Sequence, residues 1–428
     1  MSIELLQREL KVSKMAETLI ASEIIKLAGE INEKIKNGEQ IYNLTIGDFD
    51  PKIFPIPKEL EEEIIKAYKE GATNYPPADG LFATRQTVSK FLLEKEGIQY
   101  NPENEIIIAA GARPLIYATY QTLIHPGDTV IFPVPSWNNN HYTHLSHAKK
   151  IEIPATPENN FMPTAADLKP HLKSATLVSL CSPLNPTGTV FTREGLEEIC
   201  ELILEENNSR NENEKPLYLM YDQIYWVLTF GDTEHYNPVS LLPEMRDYTV
   251  FIDGLSKTFA ATGVRVGWSF GPARVIGKMK SILSHLGAWA PKAEQVATAR
   301  YLNRTDDVNN YLMKFKDEVQ ARLEGFYKGF MELKSEGFRV DAIAPQAAIY
   351  LTVQFDLHGM KKEDGTVLEN TKAITKYLLE EARVAIVPFY AFGDSDNSTW
   401  YRLSVGTCKL DEVEKVIESL RKALSKLS

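Results

Sequence analysis

The stretch FIDGLSKTFAATGVRVGW, residues 251–268, joins the end of an apolar segment to a lysine, a hydroxyl and an arginine. The β-branched and aromatic run TVFID (249–253) predicts a buried strand. Lys257 follows that strand beside Ser256, and Arg265 comes eight positions later. The stretch therefore raises the question of which chemistry needs an amine and a guanidinium at the end of a buried strand.

Around this stretch, strand-like and helix-like segments alternate between about residues 105 and 270. The predicted strands are 105–112, 128–137 (which ends in a loop), 176–183, 216–222 and 248–253. The predicted helices are 114–124 and 192–206, the second with Thr192 as its N-cap. Apolar strands in a βαβα order are typical of a mainly parallel sheet covered by helices on both faces. Ligands of such α/β sheets bind at the carboxyl ends of the strands.

The C-terminal third has a different pattern. It begins with a long helical segment at 309–337, continues with the strand-like runs AAIYLTVQF, ARVAIVPF and TWYRLSVG, and closes with a helix. This order predicts a smaller α+β domain. We therefore expect a large domain over residues 46–305 and a small domain that combines an N-terminal arm, residues 1–45, with residues 306–428.

Composition excludes several classes of protein. The net charge is -11, and no basic patch or arm is present, so nucleic acid is not an expected partner. No apolar run approaches the roughly 18 residues of a membrane span, and the charged N-terminal segment does not resemble a signal peptide. Three scattered cysteines are typical of reduced thiols, so we expect a cytoplasmic protein.

Each predicted strand end carries residues whose side chains or backbone N–H groups can bind a ligand or take part in catalysis. They are Gly111, Ala112 and Arg113 at a helix start, Trp137, Asn185 in SPLNPTG, Asp222 and Tyr225 in YDQIY, then Ser256, Lys257 and Arg265, and finally Arg402 in YRLSVG. Backbone N–H groups at a strand-to-helix turn can cradle a phosphate. The strand ends of one sheet edge thus predict a single site that includes an anion cradle.

One cofactor uses all of these groups. Pyridoxal phosphate needs a lysine for its aldehyde, a carboxylate at its pyridine nitrogen, hydrogen-bond donors at its phenolic oxygen, an aromatic ring over its own ring, and a cationic phosphate site. The residues that fill these needs in turn are Lys257, Asp222, Asn185 with Tyr225, Trp137, and Ser256 with Arg265. Pyridoxal phosphate is therefore the predicted cofactor, and no metal is expected.

The motifs NYPPADG, SPLNPTG, YDQIY, GLSKTFAATGVRVGW and YRLSVG occur in the order found in a known family. The sequence resembles the class I/II aminotransferases of the fold-type I pyridoxal-phosphate enzymes, most closely the bacterial aspartate aminotransferase-like branch. The resemblance runs from about residue 40 to the C-terminus, and the five motifs together are specific although each alone is weak. It implies the pyridoxal-phosphate transferase fold and an aminotransferase (transaminase) of amino acid metabolism.

The resemblance also implies a role for each matching residue. Lys257 is the Schiff-base lysine that moves the proton, and Asp222 pairs with the pyridine nitrogen. Asn185 and Tyr225 bond the phenolic oxygen, and Trp137 stacks on the ring. The remaining implied roles are phosphate binding by Ala112, Ser256 and Arg265, a phosphate contact from Tyr75 of the neighbouring subunit of an obligate homodimer, α-carboxylate binding by Arg402, and substrate contact by Gly47, Trp137 and Asn185.

Three departures from the branch concern the side-chain pocket. Arg113 stands where the branch often has a lysine that helps bind a second carboxylate, and an arginine can do this as a fork. Ile24 replaces a hydroxyl residue, and Trp289 with Lys292 replaces small polar residues. We expect an L-amino acid donor, aspartate or an aromatic amino acid, and a 2-oxo acid acceptor such as 2-oxoglutarate.

Other functions on the same motifs stay open from sequence. A C–S or other amino acid lyase, or a decarboxylase or aldol-type enzyme, would differ by needing no amino acceptor. A cofactor-binding regulator would carry a DNA-binding domain, for which the roughly 40 residues before LTIGDFD are too few. The histidines of HYTHLSH (141–147) do not share one helix face and have no carboxylate or thiol to complete a metal site, so a partly exposed helix is expected there.

Overall fold

The computed structural model describes residues 12–19 and 23–428, apart from the side chains of residues 24 and 25, so the departure at Ile24 lies outside the described residues. The strands are β1 Tyr42–Asn43, β2 Ile106–Ala109, β3 Thr129–Val134, β4 Lys149–Pro154, β5 Ala175–Cys181, β6 Tyr218–Asp222, β7 Thr249–Gly254, β8 Gly267–Phe270, β9 Val340–Ala342, β10 Tyr350–Phe355, β11 Val384–Ala385, β12 Val387–Pro388 and β13 Trp400–Ser404. The helices are α1 Lys14–Thr18, α2 Glu23–Lys36, α3 Lys58–Lys69, α4 Phe82–Glu96, α5 Ala112–Leu123, α6 Asn139–Leu145, α7 Ala165–Leu168, α8 Arg193–Ser209, α9 Pro238–Leu241, α10 Leu255–Thr258, α11 Ala273–Leu286, α12 Lys292–Leu302, α13 Thr305–Ser335, α14 Thr371–Glu381 and α15 Glu412–Leu424.

A seven-stranded sheet carries the order β2-β8-β7-β6-β5-β3-β4. Strands β4, β3, β5, β6 and β7 pair in parallel, whereas β8 runs antiparallel to both of its neighbours. The prediction of a mainly parallel α/β sheet is therefore confirmed. Strands β4 and β8 were not predicted, because β4 is an edge strand that opens on two lysines and β8 is a short run that begins with glycine.

Alternate residues of the central strands pack on opposite faces of this sheet. Tyr221 and Phe251 belong to the core shared with α3, α4, α8 and α12, whereas Met220 and Ile252 belong to the core shared with α5 and α11. Both faces are therefore apolar and covered by helices, as a parallel sheet requires. The N-cap predicted for α8 is also present, since the hydroxyl of Thr192 accepts the Gly195 N–H at 3.1 Å.

A smaller sheet of order β12-β13-β10-β9 is antiparallel and packs with α13 and α15. The run ARVAIVPF, predicted as one strand, is divided: β11 pairs with β1 and β12 pairs with β13. The single-strand prediction was wrong because the chain changes partner at Ile386, which pattern alone does not reveal. The domain boundary between residues 305 and 306 stays a prediction.

Candidate active site

A cavity of about 470 Å³ lies at the carboxyl ends of β3, β5, β6 and β7. Its lining brings together most of the predicted site residues, namely Gly47, Ala112, Arg113, Trp137, Asn185, Asp222, Tyr225, Ser256, Lys257, Arg265 and Arg402. A volume between about 300 and 1,000 Å³ is usual for small-molecule sites. Each of these strands ends in a loop at the same edge of the sheet, as expected from the sequence. The side chains that follow the strands therefore lie at that edge.

Lys257 stands in the single helical turn α10, directly after β7. Its Nζ donates a hydrogen bond of 2.6 Å to the carbonyl of Gly47. Burial lowers the pKa of Lys257 to about 8; the Asp48 carboxylate opposes this shift, and nearby arginines reinforce it. An amine with this pKa is present in both protonation states near neutral pH, which suits it to proton transfer.

Asp222 ends β6, opposite Cys181 of β5. Its Oδ1 accepts the Ile224 N–H at 3.1 Å. Burial raises the pKa of Asp222 to about 6, and the backbone hydrogen bond works against that rise. A buried carboxyl that lines the cavity is ready to take a cationic N–H partner from a bound molecule, which would lower its pKa again.

Arg402 lies on β13 and is 2 % exposed. Its Nη1 donates to Asn185 Oδ1 at 2.9 Å and its Nη2 donates to the Thr45 carbonyl at 2.7 Å. The Nε group is buried without a hydrogen-bond partner among the described residues. An unsatisfied buried donor is costly, so this guanidinium is prepared to receive an acceptor such as a carboxylate.

Arg265 also lines the cavity, with its backbone at φ 60°. Its Nη1 donates to the Thr262 carbonyl and its Nη2 to the Ala110 carbonyl, both at 2.7 Å. A Cβ on Gly111 would lie 2.4 Å from Nη2, and Gly111 has a φ of +87°. Glycine is therefore required there to admit the guanidinium beside the start of α5, where Ala112 begins the helix.

Arg113 and Trp137 form one wall of the cavity. The Arg113 guanidinium carbon lies 4.5 Å from the centroid of the Trp137 ring, a cation–π contact. Both residues line the cavity. The stack positions the cation, and its N–H fork keeps the capacity to bind an anion.

Besides Gly111, which lies against Arg265, three residues singled out in the sequence lie outside the cavity lining of this chain. Tyr75 is 81 % exposed, and its ring lies 5.1 Å from that of Trp289. Lys292 donates to Asn74 Oδ1 at 2.6 Å. These residues form a surface group of their own, so Trp289 does not narrow the cavity of its own chain.

Sequence reasoning missed several polar residues of the site, of which Tyr350 and Asp48 make the contacts of most interest. Tyr350, on β10, places its hydroxyl oxygen 2.6 Å from that of Tyr225, and Asp48 accepts a 2.7 Å hydrogen bond from the Thr262 hydroxyl. Both line the cavity. In the structure, Thr352 of β10 lies opposite Arg402 of β13, so Tyr350 is on the same face of β10 as Thr352. A single sequence does not reveal this register.

The histidine run expected as a partly exposed helix contributes α6, and His144 Nε2 contacts the Met15 carbonyl at 3.1 Å. Within residues 12–19 and 23–428, no group of three or more His, Cys, Asp and Glu side chains is arranged to hold a metal ion. None of the helices in this described part of the chain is both long and apolar enough to cross a membrane.

Comparison with known proteins agrees with this geometry. The family model "Aminotransferase class I and II" matches residues 39–420. An aspartate aminotransferase of Bacillus sp. (strain YM-2) is 30 % identical over 411 residues, which are 96 % of this chain and 98 % of that protein.

Solved structures agree as well. The aspartate aminotransferase of Rhizobium meliloti superposes with a TM-score of 0.89 over 98 % of this chain and 100 % of that chain, at 24 % identity, which shows the shared fold. An aromatic aminotransferase of Pyrococcus horikoshii OT3 superposes with a TM-score of 0.79 over 92 % of this chain and 98 % of that one, at 26 % identity.

Proposed function

The chain belongs to the class I and II aminotransferase family, and from this premise we propose a role for each residue of the cavity, a substrate and an assembly. The protein is an aminotransferase that uses pyridoxal phosphate and takes amino acids and 2-oxo acids as substrates. The comparisons give no support to the lyase alternative. The observation that carries the proposed site is Lys257, a buried amine of lowered pKa in one cavity with Asp222 and Arg402.

The residues present fit the cofactor. A buried carboxyl at Asp222 suits a protonated pyridine nitrogen, and the close approach of Gly111 to Arg265 leaves a cation beside backbone N–H groups at the start of α5, as a phosphate needs. The unpartnered Nε of Arg402 leaves an acceptor still to be bound at the other end. The cavity thus offers matched groups for phosphate, ring and carboxylate.

When bound, pyridoxal phosphate supplies an aldehyde that combines with amines and a ring that withdraws electrons from the substrate α-carbon. Lys257 is the residue that would hold the aldehyde of the cofactor, and its amine would be free to act on a bound substrate once the substrate amine has replaced it. Its Nζ then removes the α-proton as a general base and returns it as a general acid. A pKa of about 8 lets the amine act in both directions near neutral pH.

The surrounding residues orient the ring. Asp222 holds a proton on the pyridine nitrogen, which preserves the ring's electron-withdrawing power. Asn185 and Tyr225 bond the phenolic oxygen, and Trp137 covers one ring face. These three residues line the cavity between Asp222 and Arg402.

The phosphate is held at the other end. Arg265 supplies the cation, Ser256 supplies a hydroxyl, and the turn of Gly111, Ala112 and Arg113 supplies backbone N–H groups at the N-terminus of the twelve-residue helix α5. Arg265 is already bonded to two carbonyls, so it is positioned before the phosphate arrives. Prior positioning reduces the entropy that binding must overcome.

Arg402 binds the α-carboxylate of the substrate, with the amide of Asn185 fixing its orientation. The backbone of Gly47 is proposed to lie against the substrate, because a Cβ there would be 3.5 Å from Arg402 Nη1. Arg113 reads a second carboxylate, which makes aspartate the proposed donor and 2-oxoglutarate the proposed acceptor. An aromatic donor is the second candidate, since the Arg113–Trp137 stack offers an apolar face to a flat side chain.

The proposed assembly is a cytoplasmic homodimer with shared sites. Tyr75 is an aromatic side chain with 81 % of its surface exposed, packed on Trp289 outside the cavity of its own chain. Such exposure suits a side chain that reaches the cofactor phosphate of a partner subunit. The three free cysteines are consistent with a reducing compartment.

The proposal is tested by the visible absorption spectrum of the purified protein. We expect a band from pyridoxal phosphate joined to Lys257, its loss when aspartate is added without acceptor, and its return with 2-oxoglutarate. Loss with aromatic donors alone would remove the proposed role of Arg113. Lys257→Ala should abolish turnover, with a loss of at least about 10⁴-fold, while the cofactor still binds noncovalently.

Lys215→Ala is the matched control, since Lys215 is a partly buried lysine that bonds Asp128 Oδ2 at 2.6 Å outside the cavity. It should keep both the band and the turnover. Substantial activity in Lys257→Ala would show that the assignment of this lysine is wrong.

A further inference from the structure

Tyr350 is a buried tyrosine of the cavity with no role in the proposal so far. It is 1 % exposed, and its hydroxyl oxygen lies 2.6 Å from the hydroxyl oxygen of Tyr225. Its ring lies beneath the Arg402 guanidinium, whose central carbon is 4.6 Å from the ring centroid. One side chain therefore touches both a residue proposed to bind the cofactor and the residue proposed to bind the substrate carboxylate.

The hydroxyl contact limits what Tyr225 can do. A tyrosine hydroxyl has one proton to donate and can accept hydrogen bonds on its oxygen. If Tyr225 donates to the phenolic oxygen of the cofactor, then the short contact to Tyr350 requires Tyr350 to be the donor. Donation into an oxygen strengthens the bond that the same hydroxyl donates onward, by roughly 10–30 % in condensed-phase estimates.

The ring contact limits Arg402 in a similar way. The Tyr350 ring supports the guanidinium from one face, and Asn185 and the Thr45 carbonyl hold its Nη groups in plane. The β10–β13 register places Thr352 opposite Arg402, and Tyr350 lies two residues before Thr352 on the same face of β10. The position of the ring thus follows from strand pairing rather than from a mobile loop.

We propose that Tyr350 is a positioning residue with two separable parts, a hydroxyl that directs the proton of Tyr225 toward the cofactor and a ring that holds Arg402 for the substrate carboxylate. This inference rests on the proposed roles of Tyr225 and Arg402. Arg402, Cys181 and Asp48 are the ionisable groups that act on Tyr350 besides Tyr225. The Arg402 guanidinium keeps its contact with the ring when only the hydroxyl is removed.

The hydroxyl part is tested by titrating the visible cofactor band against pH. A donor at the phenolic oxygen stabilises its anionic form, so weakening that donor raises the pH midpoint of the band. Tyr350→Phe should raise the midpoint by about 0.3 pH unit. The same substitution in a Tyr225→Phe background should cause no further shift, because the relay is already broken.

The ring part is tested by the dissociation constant of maleate, an unreactive dicarboxylate, measured from the change it causes in the same band. Tyr350→Phe keeps the ring and should leave this constant within about twofold. Tyr350→Leu removes the ring and should weaken maleate binding by about 5–30-fold. The control is Tyr401→Phe, which loses a buried hydroxyl that bonds the Thr371 carbonyl away from the cavity and should change neither quantity.

The outcomes separate the inference from the proposal beneath it. If Tyr225→Phe leaves the band unchanged, the proposed role of Tyr225 fails and the relay fails with it. If Tyr225→Phe shifts the midpoint but Tyr350→Phe does not, or shifts it equally in both backgrounds, the inference alone is overturned. Equal maleate binding by Tyr350→Phe and Tyr350→Leu would overturn the ring part.

Discussion

Two groups of buried or half-buried polar residues, each with ionisable members, lie on opposite faces of the same strands. The cavity holds Asp222 and Lys257 on the α5 face, and a second group, the rear cluster, lies on the α4 face. The rear cluster consists of Glu96, Gln223, His235, Asn237 and Asp253. Because side chains alternate along a strand, β6 directs Asp222 to the cavity and the next residue, Gln223, reaches the rear cluster.

Both groups contain carboxyl groups whose pKa is raised by burial, but the hydrogen-bond partners of these carboxyl groups differ. In the rear cluster, the amides of Gln223 and Asn237 donate to Glu96 at 2.7 and 3.1 Å, and burial raises the pKa of Glu96 to about 8. Asp253 accepts two indole N–H groups, from Trp226 and Trp268, at 3.0 and 3.1 Å. Neutral donors therefore satisfy these carboxyls within the protein.

In the cavity, charged donors face open space. Arg402 keeps a buried Nε without a partner among the described residues, and Asp222 faces a space large enough for a ligand. Buried polar atoms without a partner occur in both groups, since Gln223 Oε1 and both ring nitrogens of His235 also lack one among the described residues. The comparison therefore shows that burial alone shifts a pKa, whereas a site also needs charged groups that face a space large enough for a ligand. A shifted pKa is thus a weak indicator of function unless it is read together with geometry.

The sharpest test of this difference replaces one carboxyl group on each face with an amide. Asp222→Asn should lower kcat by about 10²–10³-fold, because a preorganised charge at the reacting ring is lost. Asp253→Asn should leave kcat within a few-fold and lower the free energy of unfolding by about 1–3 kcal/mol, through a mismatched buried hydrogen bond. Steady-state kinetics and urea unfolding of both variants measure the two effects. Comparable losses of kcat would contradict the separation.

A second test concerns the space around the cavity. Gly111→Ala would place a Cβ 2.4 Å from Arg265 Nη2, whereas Gly127→Ala would meet nothing within 4 Å at a similar φ, +91° against +87°. Both variants suffer the backbone strain, about 1 kcal/mol, but only Gly111→Ala displaces the guanidinium. We expect a 10–100-fold weaker affinity for pyridoxal phosphate in Gly111→Ala, of the order that a charge-assisted contact supplies.

The readout for this pair is titration of the cofactor-free protein with pyridoxal phosphate. Gly127→Ala should bind within about twofold of the unmodified protein. If the two variants bind pyridoxal phosphate with equal affinity, the position of Arg265 does not depend on the lack of a side chain at Gly111.

The smallest expected effect is the pH dependence of stability caused by the rear cluster. The pKa of Glu96 is raised from 4.5 to about 8 in the folded state, so between these values the native protein binds the proton more tightly than the unfolded chain. Stability must therefore fall as the pH rises through this range. Glu96→Gln removes this titration while keeping an acceptor for Gln223. It should reduce the loss of unfolding free energy over this pH range by about 1–2 kcal/mol.

The measurement is the unfolding free energy of both proteins at several pH values from 5 to 9, without cofactor. The pKa of Lys257, lowered to about 8, acts in the opposite direction, since the unfolded chain holds that proton longer between about 8 and 10.5. Glu96→Gln leaves this second effect in place. An unchanged slope between pH 5 and 8 would mean that Glu96 does not titrate as the burial indicates.

Much of the fold could be predicted because the signals were local. Apolar runs such as TVFID, the Thr192 N-cap and the βαβα order each depend on a few neighbouring residues, and the structure confirms them as β7, α8 and the mainly parallel sheet. Strands β4 and β8 and the division of 382–389 between two sheets depended on pairing across long separations. Single-sequence patterns carry no direct information about such pairing.

The same division between local signals and long-range contacts applies to the candidate site. The identity of the chemical groups, from Lys257 to Arg402, was determined by the sequence itself, because its motifs carry these residue types, most of them just after a predicted strand. Only the tertiary structure decided which groups touch: the Tyr225–Tyr350 pair, the Arg113–Trp137 stack, the place of Trp289 outside the cavity, and the rear cluster. The physical reason is that local sequence sets backbone conformation and side-chain chemistry, whereas burial, cavity space and hydrogen-bond partners come from residues that are distant in the chain and meet only when the two sheets and their helices pack.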